Sequence, residues 1–419
     1  MRILWVKSGG IVPADTGGRI RSLNILKELA RRHSVTIFTY YAQHQDDQHS
    51  RLKGFSDVVA VGIALPPRRT ASDYLRYART LLSSEPYSMQ AIGGESGGSL
   101  RFYDTADVRR RLAALVARKD FDVLICDYIY PAGLIDWALP VPKILFTHNV
   151  EADLWKQQYE VTGSPLRRLR YWNEWRTLRD AEIRYAKQAD HVLTVSEQNR
   201  AFFSLHVSPS RVSSIATGVD VEFFRPIEDL APGHAMVFTG SMDWMPNQHG
   251  ILSFASEILP HIHREIPGAD LWVVGRCPSP AVKDLASPQI HVTGRVDDIR
   301  PYLEKAQVYI VPLGCGSGTR IKIFEAMAMG KAVVSTSLGA EGLPVTHGQN
   351  ILIADDPREF AATVVRLLRD RELAASLGRS ARALVERRFA WTAVGSQFEA
   401  ILQNAVSDFE QPADARKTA

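Results

Sequence analysis

Short runs of β-branched and apolar residues recur along this chain, each four to six residues long and separated from the next by stretches of helical or turn character. In the first half they are Ile3–Val6, Val35–Tyr40, Val58–Val61, Val123–Cys126, Ile144–Thr147 and His191–Val195. In the second half they are Met236–Thr239, Leu271–Val274, Ile290–Thr293, Val308–Pro312 and Ala332–Ser335. A strand that is apolar at nearly every position must be covered on both faces, and parallel sheets flanked by helices provide that cover. The pattern predicts an α/β protein made of two Rossmann-like, doubly wound parallel-sheet units. A length of 419 residues is ample for two cores.

The predicted break falls near Ala216-Thr217-Gly218-Val219-Asp220, ahead of a turn-rich stretch through Pro226 and Pro232. This gives an amino-terminal domain over 1–215, a second over 216–390, a last helix over 391–408 and a disordered tail over 409–419. Ligands of open α/β sheets bind outside the carboxyl ends of the strands. The residues at those ends are Gly17-Gly18 after the first strand, His148-Asn149 after Ile144–Thr147, and Gly240-Ser241-Met242-Asp243 after Met236–Thr239. Two sheets facing each other across a cleft would set these loops on opposing walls.

One cassette carries most of the chemistry. After the strand ending at Pro312 comes Gly314-Cys315-Gly316-Ser317-Gly318-Thr319-Arg320, then a short helix containing Lys322 and Glu325. Glycines allow backbone amides to approach a ligand, and a helix points the positive end of its dipole at it. Arg320 and Lys322 oppose that dipole unless an anion neutralises them, so the cassette reads as a phosphate site. Glu325, one turn deeper, would accept from hydroxyl groups. The competing reading is a surface turn with Lys322 paired to Glu325. No Gly-Lys-Ser/Thr closes the loop, so it is not a Walker motif.

A net charge of +4 is too small to argue for nucleic acid. Cys126, Cys277 and Cys315 are scattered, which points to neither a disulfide framework nor a zinc site. The opening apolar run breaks at Lys7-Ser8-Gly9-Gly10, too early for a signal peptide, and no stretch approaches the ~20 apolar residues of a membrane span. The expectation is a cytoplasmic protein, with room for peripheral contact at the inner face of the membrane.

Taken together, the two Rossmann-like halves, Gly17-Gly18, Thr147-His148-Asn149 and Phe324-Glu325-Ala326-Met327-Ala328-Met329-Gly330-Lys331 resemble the retaining GT-B glycosyltransferases of family 4 (group 1). Thr217-Gly218-Val219-Asp220 resembles the interdomain Asn-Gly-Val-Asp of that family, with Thr in place of Asn. The resemblance implies a nucleotide-diphosphate sugar as donor substrate, with no cofactor and no metal, and a glycan or lipid-linked acceptor. It implies that Gly17, Gly18 and Gly240 border the donor, and that His148 sits near the transferred sugar. Val296 would meet the base through its backbone, and Glu325 the ribose. Gly316, Ser317, Gly318 and Thr319 would line the phosphates, and the helix from about Trp391 would return to the amino-terminal domain.

The chain departs from that family twice. A Glu commonly found eight residues before the Glu325 position is Ser317 here, and the Arg and Lys common after the first strand of the second domain are Ser241 and Asn247. A diphosphate buried without cations is very costly. The expectation is that Arg320 and Lys322 replace the missing charges. No Asp-x-Asp stands where a divalent ion would bridge phosphates. Readings from other classes are a nucleotide-sugar epimerase or phosphorylase-like enzyme, and a two-lobed sugar-binding protein without chemistry.

Three further features are ambiguous. Pro165–Arg176 combines arginines with aromatics at helical spacing, which suits an anionic membrane or a solvated face whose tryptophans pack inward. Arg68, Arg69, Arg76 and Arg79 form a second basic cluster. Asp127 and Glu151 could act as a pair of carboxylates, though nothing in the sequence fixes their separation.

Overall fold

The computed structural model describes residues 1–14, 16–42, 52–63, 106–118, 120–226, 233–315 and 321–410. The cluster Arg68, Arg69, Arg76 and Arg79 lies outside them, as do the site candidates Gly316, Ser317, Gly318, Thr319 and Arg320.

The chain folds as two units, Met1–Ala216 with Gly395–Ala419, and Thr217–Val394. The amino-terminal unit contains β1 (Arg2–Ser8), β2 (Ser34–Ala42), β3 (Asp57–Ile63), β4 (Val123–Asp127), β5 (Lys143–Phe146), β6 (His191–Thr194) and β7 (Val212–Ser214). They form a sheet in the order β3-β2-β1-β4-β5-β6-β7, with every pairing parallel. The carboxyl-terminal unit contains β8 (Ala235–Thr239), β9 (Asp270–Val274), β10 (Ile290–Gly294), β11 (Val308–Val311), β12 (Ala332–Ser335) and β13 (Leu352–Ile353). Their order is β10-β9-β8-β11-β12-β13, again all parallel. Every predicted strand is present. β7 and β13 were not predicted, because three and two residues are too short to show a pattern.

In each sheet the order reverses once, between β1 and β4 and between β8 and β11. A crevice opens at such a point, outside the carboxyl ends of the two diverging strands.

The helix Gly17–Ala30 shows how the chain prepares one of these points. Its buried residues, Arg21, Ser22, Ile25, Leu26 and Leu29, form one stripe at helical spacing. The lower part of the stripe is apolar and packs on the sheet. The upper part, Arg21 and Ser22, is polar, and Ser22 bonds to Asp127 at the carboxyl end of β4.

The helix Trp391–Glu410 begins in the carboxyl-terminal unit and from Gly395 belongs to the amino-terminal one. Within the latter, Phe398 stacks on Trp5 at 5.7 Å and meets Phe146 edge-on at 5.2 Å. The helix extends two residues past the predicted end at 408, and residues 411–419 lie outside the described part.

Candidate active site

At the switch point of the amino-terminal unit, Asp127 closes β4 and is fully buried. Its Oδ2 accepts from Trp5 Nε1 at 2.9 Å, Lys7 Nζ at 2.9 Å and Ser22 Oγ at 2.6 Å, and its Oδ1 accepts from His148 Nε2 at 2.9 Å. Strand alternation explains the Trp5–Lys7 pair, since residues two apart share a face. Burial alone would push the Asp127 carboxyl up. The Lys7 ammonium and the bonds from His148 and Ser22 outweigh it and hold the group well below the usual carboxylate range. Burial pulls the Lys7 ammonium down while Asp127 pulls it up. With four donors converging on one carboxylate, we take Asp127 as the ionised anchor.

His148 follows β5 and is 2% exposed. Its Nδ1 lies 2.7 Å from Arg21 Nη1. A guanidinium can only donate, so Nδ1 is the acceptor and Nε2 carries the proton given to Asp127. The ring is sandwiched between Tyr128, parallel at 4.1 Å, and Phe146 at 4.5 Å. Burial, reinforced by the charges of Arg21 and Lys7, lowers its pKa to about 3 against the pull of Asp127. His148 is therefore a neutral imidazole with a fixed tautomer. Both ring nitrogens are committed inside the fold.

Gly17 and Gly18 open the helix beside this network. A Cβ at Gly18 would lie 1.9 Å from the Tyr128 hydroxyl, so that position is glycine because the Tyr128 ring fills the space. Asp127 and Glu151 are not an acid/base pair in search of a substrate. Asp127 is taken up by four donors, and Glu151 accepts from Tyr130 at 3.0 Å. Glu182 in turn accepts from the backbone amides of Glu151 and Ala152, capping the helix that starts there. Burial raises the Glu151 carboxyl and places that of Glu182 well above its ordinary value.

The carboxyl-terminal unit has its own cluster at the β8–β11 switch point. Lys322, in the helix Ile321–Ala328, donates to the Thr239 carbonyl at 3.1 Å and to Asn247 Oδ1 at 2.7 Å. Its ammonium also lies 4.2 Å from the Phe238 ring centroid. Asn247 Nδ2 donates to the Ser241 carbonyl at 2.9 Å. Gly240 is lined by the same groups, since a Cβ there would lie 2.7 Å from Asn247 Nδ2 and 3.1 Å from Lys322 Nζ. The Lys322 head group is thus anchored across the fold on the loop after β8, which the surface-turn reading does not account for.

A second cation on this loop was not foreseen. Arg276, just past the end of β9, donates through Nε to Ser241 Oγ at 2.7 Å and lies 3.6 Å from Asp243. The only sequence signal was its place, after Val274-Gly275 at a strand's carboxyl end. Ser241 and Asn247, the two positions lacking the expected charge, each hydrogen-bond a cation from another element.

Glu325 is half-buried one turn along the helix from Lys322. Burial raises its carboxyl to about 7, and the Lys322 charge opposes the rise. Val296 is half-buried in the loop after β10, which turns at Gly294 with φ +71°. Among the described residues no group of three or more His, Cys, Asp or Glu is placed to hold a metal ion, and no helix is long and apolar enough to cross a membrane.

Comparison with known proteins gives this arrangement its context. The family described as "Glycosyltransferase Family 4" matches residues 93–223, and "Glycosyl transferases group 1" matches residues 233–370. An uncharacterized 44.6 kDa protein in the cps region of Klebsiella pneumoniae is 22% identical over 87% of this chain and 90% of its own length. The phosphatidyl-myo-inositol mannosyltransferase of Mycolicibacterium smegmatis is 29% identical over 44% of this chain, and the match spans 49% of that protein. The crystal structure of Anabaena HepE in complex with UDP and glucose superposes with a TM-score of 0.63 at 15% identity, covering 96% of this chain and 99% of that one. With one family matching in each unit and the fold shared along nearly its whole length, the chain belongs to the group 1, family 4 glycosyltransferases of the two-domain, Rossmann-like GT-B fold.

Proposed function

We propose that this glycosyltransferase moves a sugar from a nucleotide-diphosphate donor to a hydroxyl of a glycan or lipid-linked acceptor, with retention of anomeric configuration and without a metal ion. The observation that carries the reading is the pair of cations held on Ser241 and Asn247, Arg276 and Lys322. Departure of a nucleoside diphosphate builds negative charge, and cations already held in place stabilise it without reorganising. Arg320 is a third cation of the same stretch of sequence and belongs to this set in our reading. Glu325 then serves the ribose hydroxyls.

UDP in the HepE complex makes a uridine diphosphate sugar the first donor to screen. The mannosyltransferase relative makes an inositol lipid the first acceptor class. Retention rests on the family alone.

Calorimetric titration of UDP in EDTA tests the reading. Lys322→Met and Arg276→Gln should each weaken binding by roughly tenfold to a hundredfold, the equivalent of about 1.5–3 kcal/mol for a charged hydrogen bond. Turnover should survive chelation. Unchanged affinity in the double variant would end the phosphate assignment, and activity that EDTA abolishes and magnesium restores would end the metal-free one.

A further inference from the structure

We propose that the helical hairpin formed by Glu151–Val161 and Pro165–Gln188 docks through its free end on the surface of an anionic lipid bilayer. This does not rest on the donor reading above. The base of the hairpin is fixed in the amino-terminal unit, where Glu182 caps Glu151 and Ala152. All buried residues of the longer helix lie between Asn173 and Ala186, and none lies between Pro165 and Trp172. At 1.5 Å per residue, Pro165 stands about 25 Å along the helix axis from Glu182.

The projecting part has an inside and an outside. Inside, Trp155 meets Tyr171 at 5.8 Å and Tyr159 stacks on Trp175 at 6.1 Å, joining the two helices, and Trp155 and Trp175 also pack against the core of the unit. Tryptophans do pack inward here, as one of the two sequence readings expected. Trp172 does not. It is 40% exposed, with Leu169 at 53%, Leu166 at 83%, Val161 at 78% and Leu154 at 46%. Of the nine large hydrophobics left exposed among the described residues, these five fall within one hairpin. Scattered single hydrophobics are ordinary, whereas a concentration marks an interaction site.

Charge selects the partner. Residues 154–176 carry Lys156, Arg167, Arg168, Arg170 and Arg176 against the two acids Glu160 and Glu174, of which Glu174 is buried, and the exposed Asp153 lies just before them. The Arg176 guanidinium lies 5.3 Å from the Trp172 ring centroid, and that of Arg168 lies 4.9 Å from the Tyr159 ring centroid. Arginines around Leu and Trp are the chemistry of an interfacial helix on anionic lipid. A second copy of the chain would bring one basic tip against another, which like charge disfavours.

The test is flotation of the full-length protein with vesicles of phosphatidylcholine alone or mixed with phosphatidylglycerol, at low and high salt. We expect binding to the mixed vesicles only, lost at high salt, with a blue shift of tryptophan emission. Leu166→Ser with Leu169→Ser and Trp172→Ser should abolish binding, while thermal melts stay close to wild type because all three side chains are exposed. Arg167→Gln and Arg168→Gln should each weaken it about fivefold, the ratio expected for one cation near such a surface. The proposal is overturned if wild type binds neither vesicle, if it binds both equally, or if the triple-serine variant binds like wild type. It is also overturned if wild type forms a dimer that the serine variant cannot and neither protein floats, which would assign the face to a second copy.

Discussion

The amino-terminal cluster surrounds a buried carboxylate with Trp5, Lys7, Ser22 and His148, whereas the carboxyl-terminal cluster sets the Lys322 ammonium on the Thr239 carbonyl and the Asn247 amide oxygen. Both occupy the switch point of a parallel sheet. In the first, opposite charges meet within the protein, so the arrangement fixes geometry: a neutral His148 of one tautomer and a Tyr128 ring pressed against it. In the second, those two acceptors hold the cation in position without carrying a full opposite charge. Position within the fold is therefore a poor guide to role, and the identity of the acceptor is the better one.

The largest expected effect breaks the first cluster. Asp127→Ala leaves the Lys7 ammonium buried without its carboxylate and should cost about 3–5 kcal/mol in chemical unfolding. Asp127→Leu combined with Lys7→Met should recover much of that, since removing both charges removes the desolvation problem. In the second cluster, Asn247→Ala takes away a neutral acceptor and should cost only about 1 kcal/mol. Equal costs for Asp127→Ala and Asn247→Ala would erase the distinction. Acid should also act on the first cluster. The Asp127 carboxyl is depressed in the fold, so its contribution is present above its unfolded value and lost as pH falls towards the folded one. His148, lowered from 6.5 to about 3, acts in the same direction but from a higher pH, its contribution fading as pH falls from 6.5 towards 3, because the unfolded chain takes up the proton first.

The two sheets were legible in the sequence because parallel strands covered on both faces read as continuous apolar runs. That Gly240 follows the carboxyl end of one strand, and that Lys322 and Glu325 lie in the helix after another, was legible too. What joins them was not. Asp127 drew notice only as one half of a carboxylate pair, because its donors lie 105 to 122 residues upstream and 21 downstream, with no motif linking them. Arg276 was invisible for a related reason. A missing cation in one loop can be supplied from the neighbouring strand, and spacing along the chain does not record which strands are neighbours. The sequence likewise carries no sign that the Tyr128 ring fills the space beside Gly18.

Glycine substitutions sharpen the comparison at intermediate size. In Gly18→Ala the new Cβ meets the Tyr128 hydroxyl at 1.9 Å and Cζ at 2.9 Å. The ring cannot swing away freely, because it is stacked on His148 and lies 4.4 Å under the Lys7 ammonium. A cost of about 1–3 kcal/mol is expected from overpacking. Tyr128→Phe removes the nearer atom and should restore part of it. At Gly275 the obstacle is the Gly240 carbonyl oxygen at 1.7 Å, which is backbone. Gly275→Ala should therefore shift the loop after β8 and weaken UDP binding, with no side-chain change able to rescue it. Rescue of Gly18→Ala failing completely would show that helix geometry, not the ring, demands glycine there.

The smallest effect gives the two clusters opposite responses to pH. The Glu325 carboxyl is raised from 4.5 to about 7 by burial, with Lys322 opposing. A carboxyl raised in the fold keeps its proton where the unfolded chain has released it. Its contribution to stability is therefore fully present below 4.5 and is lost as pH rises through 7. The side chain is partly exposed, so solvent screening reduces the full linkage value, and about 1–2 kcal/mol is a reasonable expectation. Glu325→Gln cannot titrate. The unfolding free energy of wild type minus that of the variant should fall by this amount between acid and mildly alkaline pH. In the amino-terminal cluster the corresponding difference, wild type minus Asp127→Asn, should change the other way and grow as pH rises from acid. Lys322→Met should steepen the Glu325 response by removing the charge that opposes the rise. A Glu325 difference flat across this range would mean that the carboxyl titrates alike in the folded and unfolded chain, the Lys322 charge fully offsetting its burial. The two clusters would then no longer respond to pH in opposite directions, and the contrast between them would disappear.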